Sequence, residues 1–302
     1  MSGDGVSAGA AMREFVVDTA FGRICGLRNH VPGAPRLLAL HGWLDNGASF
    51  VPLAPHLAGF DLVAPDLPGH GASAHLPMAA EYTLVAATRA AFAVADALGW
   101  ERFSLLGHSM GGAVASTMAA AVPQRVERLL LIEALGGLSE TEDRTAARLR
   151  GAFANLSQLS SKQLRVFPDL ATAVRTRMMV NGLSEPVARL LVERGLAPVP
   201  AGRAAEGMAG GYVWRSDPRL TMATSVRMTE GQVRDLIASI ACPVRVIHAE
   251  PAFQYFGTEL RTSRSALLRN GDSVGVQGSH HLHMEDPVSV AAAIGDFLTR
   301  PL

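Results

Sequence analysis

The segment Leu105-Leu106-Gly107-His108-Ser109-Met110-Gly111-Gly112-Ala113-Val114-Ala115 decides the fold. An apolar run of strand length, Arg102 to Leu106, ends in it, and a helical pattern over Met110 to Val122 begins in it, so Ser109 sits on a sharp strand-to-helix turn. Gly107 and Gly111 fit a place where strand and helix approach too closely for side chains, and Gly112, Ala113 and Ala115 extend that room. Such a turn strains the serine backbone and leaves the Met110 N–H unpaired at a helix N-terminus, aimed where an oxyanion forms.

Outward from this turn, apolar runs of strand length alternate with longer helical patterns. The runs are Glu14 to Asp18, Gly22 to Arg28, Arg36 to Leu40, Asp61 to Ala64, Arg102 to Leu106 and Arg128 to Ile132. Thr83 caps a helix over Leu84 to Leu98, which Gly99 ends. This alternation predicts an α/β protein with a mostly parallel sheet flanked by helices. After Glu133 the strands stop, and residues 136–229 read as helix after helix, with Glu140 to Leu159, Leu170 to Val180 and Glu185 to Arg194 separated by breakers. Strand-like runs resume at Pro243 to His248 and Ser273 to Val276, and a last helix covers Val288 to Leu298. The expected organisation is a core of residues 1–135 and 230–302, with residues 136–229 a helical cap inserted after the sixth core strand.

Composition excludes several classes. The chain has 302 residues, 48% of them hydrophobic and 18% charged, enough apolar surface to build a core. Its 27 basic residues balance 27 acidic ones without a basic run, so no nucleic-acid partner is expected. No apolar stretch is long enough to span a membrane, because Arg89, Asp96, Ser116 and Thr117 interrupt the best ones. Cys25 and Cys242 are too few and too isolated for a disulfide framework, and Met1 to Ala11 reads as a loose tail without the features of a signal peptide. A cytoplasmic protein acting on a small molecule, either monomer or homodimer, is the expectation.

Two further motifs carry chemistry. His41-Gly42-Trp43 ends the Arg36 to Leu40 run, where the Trp43 N–H supplies a second oxyanion donor beside Met110. Near the C-terminus, Gly278-Ser279-His280-His281-Leu282-His283-Met284-Glu285-Asp286-Pro287 places three histidines in one loop after the last strand. Taken as metal ligands, His281 and His283 lack a matching carboxylate set, so no metal and no cofactor are expected, and hydrogen-bonded packing of the loop accounts for both.

Together these motifs resemble the α/β-hydrolase fold enzymes, over Arg13 to Leu298. Asp66-Leu67-Pro68-Gly69-His70-Gly71-Ala72-Ser73 matches the loop after the fourth strand in that family, and Gly278-x-His280 with Glu285 and Pro287 matches its histidine loop. His41-Gly42-Trp43-Leu44-Asp45-Asn46 with Leu106 to Gly112 resembles the serine hydrolase-like proteins more narrowly. The resemblance implies the order nucleophile, acid, histidine, and assigns Ser109 and His280. For the acid it leaves two candidates. Glu133 ends the sixth strand, similar to the haloalkane dehalogenases, and is favoured because a Glu closing an apolar strand needs a buried partner; Glu250 lies nearer the usual place after the seventh strand, where no Asp is found.

Ser at position 109 and Met at 110 argue against dehalogenase or epoxide hydrolase chemistry, which needs an Asp nucleophile. A serine activated by histidine suits attack on a carbonyl. The expected activity is hydrolysis of a carboxylic ester or thioester of an apolar acyl group. The alternatives are a carbon–carbon bond hydrolase of aromatic ring-cleavage products and a non-catalytic small-molecule sensor. Met178, Met179, Met208, Met222 and Met228, with Phe153, Phe167, Tyr212 and Trp214, lie in the cap. Of these Met178, Met179 and Trp214, joined by Trp43, His108 and Met110, are expected to line the substrate pocket.

Overall fold

The computed structural model describes residues 11–158, 165–199 and 210–301. The tail before Ala11, the end of the helix expected to reach Leu159, and Met208 lie outside them. In chain order the elements are β1 (Arg13–Thr19), β2 (Gly22–Arg28), β3 (Arg36–Leu40), β4 (Asp61–Pro65), α1 (Leu84–Ala97), β5 (Phe103–His108), α2 (Met110–Ala121) and β6 (Val126–Ile132). Then come α3 (Thr145–Gln158), α4 (Leu170–Asn181), α5 (Glu185–Gly195), β7 (Leu196–Pro198) and β8 (Tyr212–Trp214). The chain closes with α6 (Glu230–Ala238), β9 (Val244–Glu250), α7 (Thr258–Ser265), β10 (Gly271–Gln277), α8 (Leu282–Glu285) and α9 (Pro287–Ile294). Among the described residues no helix is long and apolar enough to cross a membrane.

Eight strands form one sheet in the order β1-β2-β4-β3-β5-β6-β9-β10. The pairs β1–β2 and β2–β4 are antiparallel; every pair from β4 to β10 is parallel. The central strands read as unbroken apolar runs because both of their faces are buried. Leu38, Leu40, Leu105, Leu129, Leu131, Val244 and Val246 face one apolar cluster, which Val114 and Met118 of α2 and Val233 and Ile237 of α6 complete. Leu37, Ala39, Leu106, Leu130, Ile132, Ile247 and Ala249 face the other, against Val290 and Ile294 of α9.

Helix ends follow local chemistry. The Thr83 hydroxyl accepts the Ala86 N–H at 3.0 Å to start α1, and Gly99 at φ 68° takes the left-handed turn after it. Two expectations need correction. The helix expected from Glu140 begins only at Thr145, after a 3-10 turn at Glu142–Arg144; ahead of it Glu140 donates its N–H to the Met228 carbonyl and pairs its carboxylate with Arg148. Between β6 and α6 the chain is not helical throughout either: β7 and β8 form a two-stranded antiparallel ribbon, too short at three residues each for a period to be read.

This stretch between β6 and α6, called the insertion below, has its own apolar cluster. Phe167, Val174, Val187, Leu191, Val192 and Leu196 fill it, with Met178, Tyr212 and Trp214 packed against them. Met284 of α8 joins the same cluster, so the insertion rests on the loop that carries the histidines.

Backbone contact fixes where α2 starts. A Cβ on Gly111 would lie 1.9 Å from the Leu40 carbonyl oxygen, and one on Gly107 would lie 2.6 Å from both the Gly111 oxygen and the Gly112 Cα. The start of α2 therefore touches the end of β3 as closely as the end of β5. Gly111→Ala should cost about 3 kcal/mol, since neither backbone can yield easily, whereas Gly59→Ala, with nothing within 4 Å, should stay within about 0.5 kcal/mol. Urea denaturation of both variants measures the difference, and equal midpoints would contradict the contact.

Candidate active site

Two residues just past adjacent parallel strands adopt a backbone that side chains disfavour. Ser109 follows β5 at φ 51° and Glu133 follows β6 at φ 57°. Each is tied across the sheet: the Ser109 N–H donates to the Ile132 carbonyl at 3.0 Å, and the Glu133 N–H donates to the Ile247 carbonyl at 2.9 Å. The register His108↔Ile132 and Ile132↔Ile247 thus sets Ser109, Glu133 and the end of β9 side by side at one sheet edge.

Onto this edge the loop after β10 delivers His280. Its Nε2 lies 2.9 Å from Ser109 Oγ, and its Nδ1 lies 3.1 Å from Glu133 Oε2. An ionised carboxylate only accepts, so Nδ1 carries the proton and Nε2 is free to accept the hydroxyl proton. Glu133 is 3% exposed, and its second oxygen accepts the Ala249 N–H at 2.6 Å, so both oxygens of the buried group are satisfied. The Phe253 ring, on the loop after β9, stacks on His280 at 4.6 Å between centroids.

Glu250 is placed elsewhere. Its side chain is 49% exposed, with Oε2 3.4 Å from Gln277 Nε2 and Oε1 3.7 Å from His248 Nε2, against β10.

The residues expected in the oxyanion hole lie on touching backbones. Met110 opens α2, so its N–H has no carbonyl one turn earlier within the helix. Asp45 N–H donates to the Gly42 carbonyl at 3.2 Å and closes the turn that holds Trp43. Gly111 packs directly on the Leu40 and His41 carbonyls, which brings the two turns into contact. His41 is buried beneath them. It accepts the Leu67 N–H at Nε2, 2.9 Å, and so holds its own proton on Nδ1, 2.8 Å from the Gly42 carbonyl.

The expected pocket residues fare differently. Trp43 is 52% exposed, with its indole N–H donated to the Leu220 carbonyl of the insertion at 2.9 Å. Met110 is partly buried against the main core. Met178 and Trp214 pack against the insertion's own cluster, because a small helical layer must bury its own apolar face first. Met179 is 86% exposed. His108 is fully buried next to Ser109 in the chain, where it donates from Nε2 to the His280 carbonyl at 2.8 Å.

Behind His280 lies a polar cluster whose roles sequence reading missed. Asp45 pairs through Oδ1 with Arg177 of α4, and its Oδ2 lies 3.3 Å from His281 Nε2 and 3.8 Å from His108 Nδ1. Although burial opposes it, His281, Arg177 and His108 hold the Asp45 carboxyl well below the usual carboxylate range. Burial, then the neighbouring imidazoles of His283, His280 and His281, drive His108 well below an ordinary histidine. Asp45, His108 and His281 have the donor types and closeness of a metal site, and the trio differs from the His281 and His283 pair weighed above. However, its one carboxylate is already paired with Arg177, so an entering dication would meet no net negative charge. His283 instead lies 2.8 Å from Ser49 Oγ.

A family model described as the α/β hydrolase fold matches residues 35–175. A serine hydrolase-like protein from Dictyostelium discoideum is 31% identical over 272 residues, covering 87% of this chain and 74% of that one. The chain belongs to the α/β-hydrolase fold family. Among solved structures, a hypothetical protein from Pseudomonas aeruginosa PAO1 is similar at 37% identity with a TM-score of 0.87, covering 95% of this chain and 99% of that one. A thioesterase domain from the curacin biosynthetic pathway is similar at 28% identity with a TM-score of 0.78, covering 94% and 99%. As in this family generally, one fold serves many reactions, so the substrate must be argued from the site.

The buried histidines also set how this hydrolase responds to acid. Burial, then His41, pushes His70 down to about 3, and burial, then His281, pushes His283 down to about 3. Both bind a proton near pH 6.5 when unfolded but not when folded, so the unfolded state holds more protons between about pH 6.5 and 3. Stability should therefore fall on acidification, by on the order of 2 kcal/mol per histidine between pH 6.5 and 5. His70→Asn and His283→Gln should each flatten the dependence of unfolding free energy on pH by about one proton. An unchanged slope in both would place its origin elsewhere.

Proposed function

We propose that this protein is a serine hydrolase that cleaves a carboxylic ester or thioester of an apolar acyl group through an acyl-enzyme. Ser109 is the nucleophile, His280 the general base and Glu133 the acid that orients it. The observation that carries this reading is the hydrogen-bonded line from Ser109 Oγ through His280 to Glu133.

In the first step His280 Nε2 takes the hydroxyl proton as Ser109 Oγ attacks the carbonyl carbon. Glu133, buried and fixed by the Ala249 N–H, stabilises the imidazolium without taking a proton itself. The N–H groups of Trp43 and Met110 receive the oxyanion, where the dipole of α2 adds to their effect. Collapse expels an alcohol or thiol, which takes the proton from His280. Water then repeats the sequence on the acyl-enzyme, releasing the acid and freeing Ser109.

The half-exposed Trp43 ring and the Phe253 ring on His280 give the site aromatic surfaces and favour an apolar acyl group. Likeness to a solved thioesterase domain supports including thioesters. The insertion acts as the cap over the site; it meets Trp43 through the Leu220 carbonyl.

Nitrophenyl esters of increasing acyl length, with acyl thioesters alongside, test the substrate class. Apolar acyl groups should outperform dicarboxylates and phosphorylated compounds, and the opposite order would sink the reading. Ser109→Ala should lower turnover on the order of 10³-fold or more and abolish labelling by a fluorophosphonate probe. Near-wild-type turnover in that variant would remove Ser109 from the reaction.

The two acidic candidates are separable in the same assay. Glu133→Gln should lower kcat roughly 10³- to 10⁴-fold with little change in KM, and Glu250→Gln by about tenfold or less. The reverse ranking, with both variants melting within a few degrees of each other, would transfer the role to Glu250.

A further inference from the structure

Asp45 bears no reacting atom, yet its carboxylate and amide reach the chain neighbours of Ser109, His280 and Trp43. Its side chain is 1% exposed. One oxygen lies 3.3 Å from His281, the residue after His280, and 3.8 Å from His108, the residue before Ser109. His108 in turn donates to the His280 carbonyl at 2.8 Å. The Asp45 N–H closes the turn on Gly42 that presents Trp43. Among the described residues, His280 is faced by Ser109, Glu133 and Phe253 besides His108 and His281. Asp45 therefore acts on the histidine only through its neighbours.

The other carboxylate oxygen faces the insertion. It pairs with Arg177 on α4, and that pair is part of a wider seat. Asn46 Nδ2 donates to the Leu191 carbonyl of α5 at 2.9 Å, and the Ser184 N–H donates to Glu285 Oε1 at 2.8 Å. Met284 is buried in the insertion's apolar cluster. The helices α4 and α5 thus rest at once on the loop of Asp45 and on the loop of His280.

Electrostatics makes this seat directional. With Arg177 in place the Asp45 charge is neutralised at Oδ1, and His108 is free to keep its Nε2 proton on the His280 carbonyl. When α4 lifts, a buried carboxylate without its cation favours a proton on the imidazole nitrogens that face it, Nε2 of His281 and Nδ1 of His108, so His108 moves its single proton from Nε2 to Nδ1. His108 leaving the His280 carbonyl loosens the loop that holds His280 between Ser109 and Glu133.

We infer that Asp45 is a positioning residue that makes the alignment of His280 depend on the seating of the insertion through Arg177, so that the enzyme is competent only with its cap closed. This rests on the serine hydrolase reading above.

The test compares Arg177→Met, Arg177→Lys, Asp45→Asn and the Asp45→Asn/Arg177→Met double variant, by kcat and KM on a nitrophenyl ester and by the rate of fluorophosphonate labelling of Ser109. Arg177→Met should lower kcat and the labelling rate about tenfold with KM changed less than about threefold, and Arg177→Lys should restore both to within about threefold. Asp45→Asn should lower both on the order of 10²-fold, and the double variant should be no worse, because Arg177 acts through Asp45. Arg177 lies at the rim of the cluster, so its variants carry the test if Asp45→Asn does not fold. An Arg177→Met enzyme with unchanged kcat and labelling, a change confined to KM or to thermal stability, or multiplicative losses in the double variant would overturn the proposal. Ser109→Ala run in parallel separates the two readings. If it loses turnover and labelling while Arg177→Met is inert, only the coupling fails; if it keeps them, the hydrolase assignment fails.

Discussion

Strain at Ser109 is the constraint around which the rest of this site is arranged. A non-glycine residue at φ 51° stays there only if its surroundings leave it no alternative. The surroundings here are backbone: its N–H is held by Ile132 of the neighbouring strand, and the helix behind it is wedged by Gly107 and Gly111 against the ends of β5 and β3. The gain is an Oγ that stands clear of the sheet edge, within reach of a histidine from a separate loop. Because Glu133 repeats the positive φ one strand along, the two carriers of the proposed reaction are spaced by the sheet itself rather than by a loop.

That spacing also explains how a carboxylate is kept inside the protein. Burying a charge without partners costs several kcal/mol, and Glu133 escapes this with a backbone N–H on one oxygen and an imidazole on the other. Glu250, at the end of β9, has solvent for one side and only distant polar contacts on the other. A half-exposed carboxylate is screened by water and can neither fix an imidazole nor stabilise its charge as strongly.

The fold was legible because its central strands are buried on both faces, which turns a parallel sheet into apolar runs that a reader can count. Gly22–Arg28 and Arg36–Leu40 have the bounds their residues suggest. Legibility stopped where structure depends on distant partners. The ribbon of β7 and β8 has too few residues for any period, and Glu140, expected to open a helix, is bound ahead of it to a carbonyl contributed by Met228. Apolar side chains show that a surface is buried but not by what, so Met178 and Trp214 read equally well as pocket or as core. At the site, Ser109 and His280 stand in motifs, and Glu133 was visible as a carboxylate closing an apolar strand. Asp45 sits inside a quoted motif as well, yet nothing near it in the chain reveals its use. Its partner Arg177 is 132 residues away, on a helix whose placement no local pattern encodes.

Placing the proposed acid at the end of β6 changes what the adjoining segments are free to do. The chain runs from Glu133 through Ala134 and Leu135 into the insertion within three residues, and this exit is clamped. Gly136 turns at φ 73° and donates its N–H to Ser116 Oγ at 3.1 Å, while the Leu135 carbonyl accepts Arg264 at 2.8 Å. The root of the insertion is therefore tied to the core beside the acid it follows, while α4 and α5 are held further out by the Asp45–Arg177 pair, two hydrogen bonds and the side chain of Met284. The loop after β9, relieved of a carboxylate, carries instead the ring of Phe253 against His280. An aromatic face there keeps water from the imidazole, which strengthens its bond to Glu133, so the segment that holds the acid in other arrangements here reinforces an acid held elsewhere.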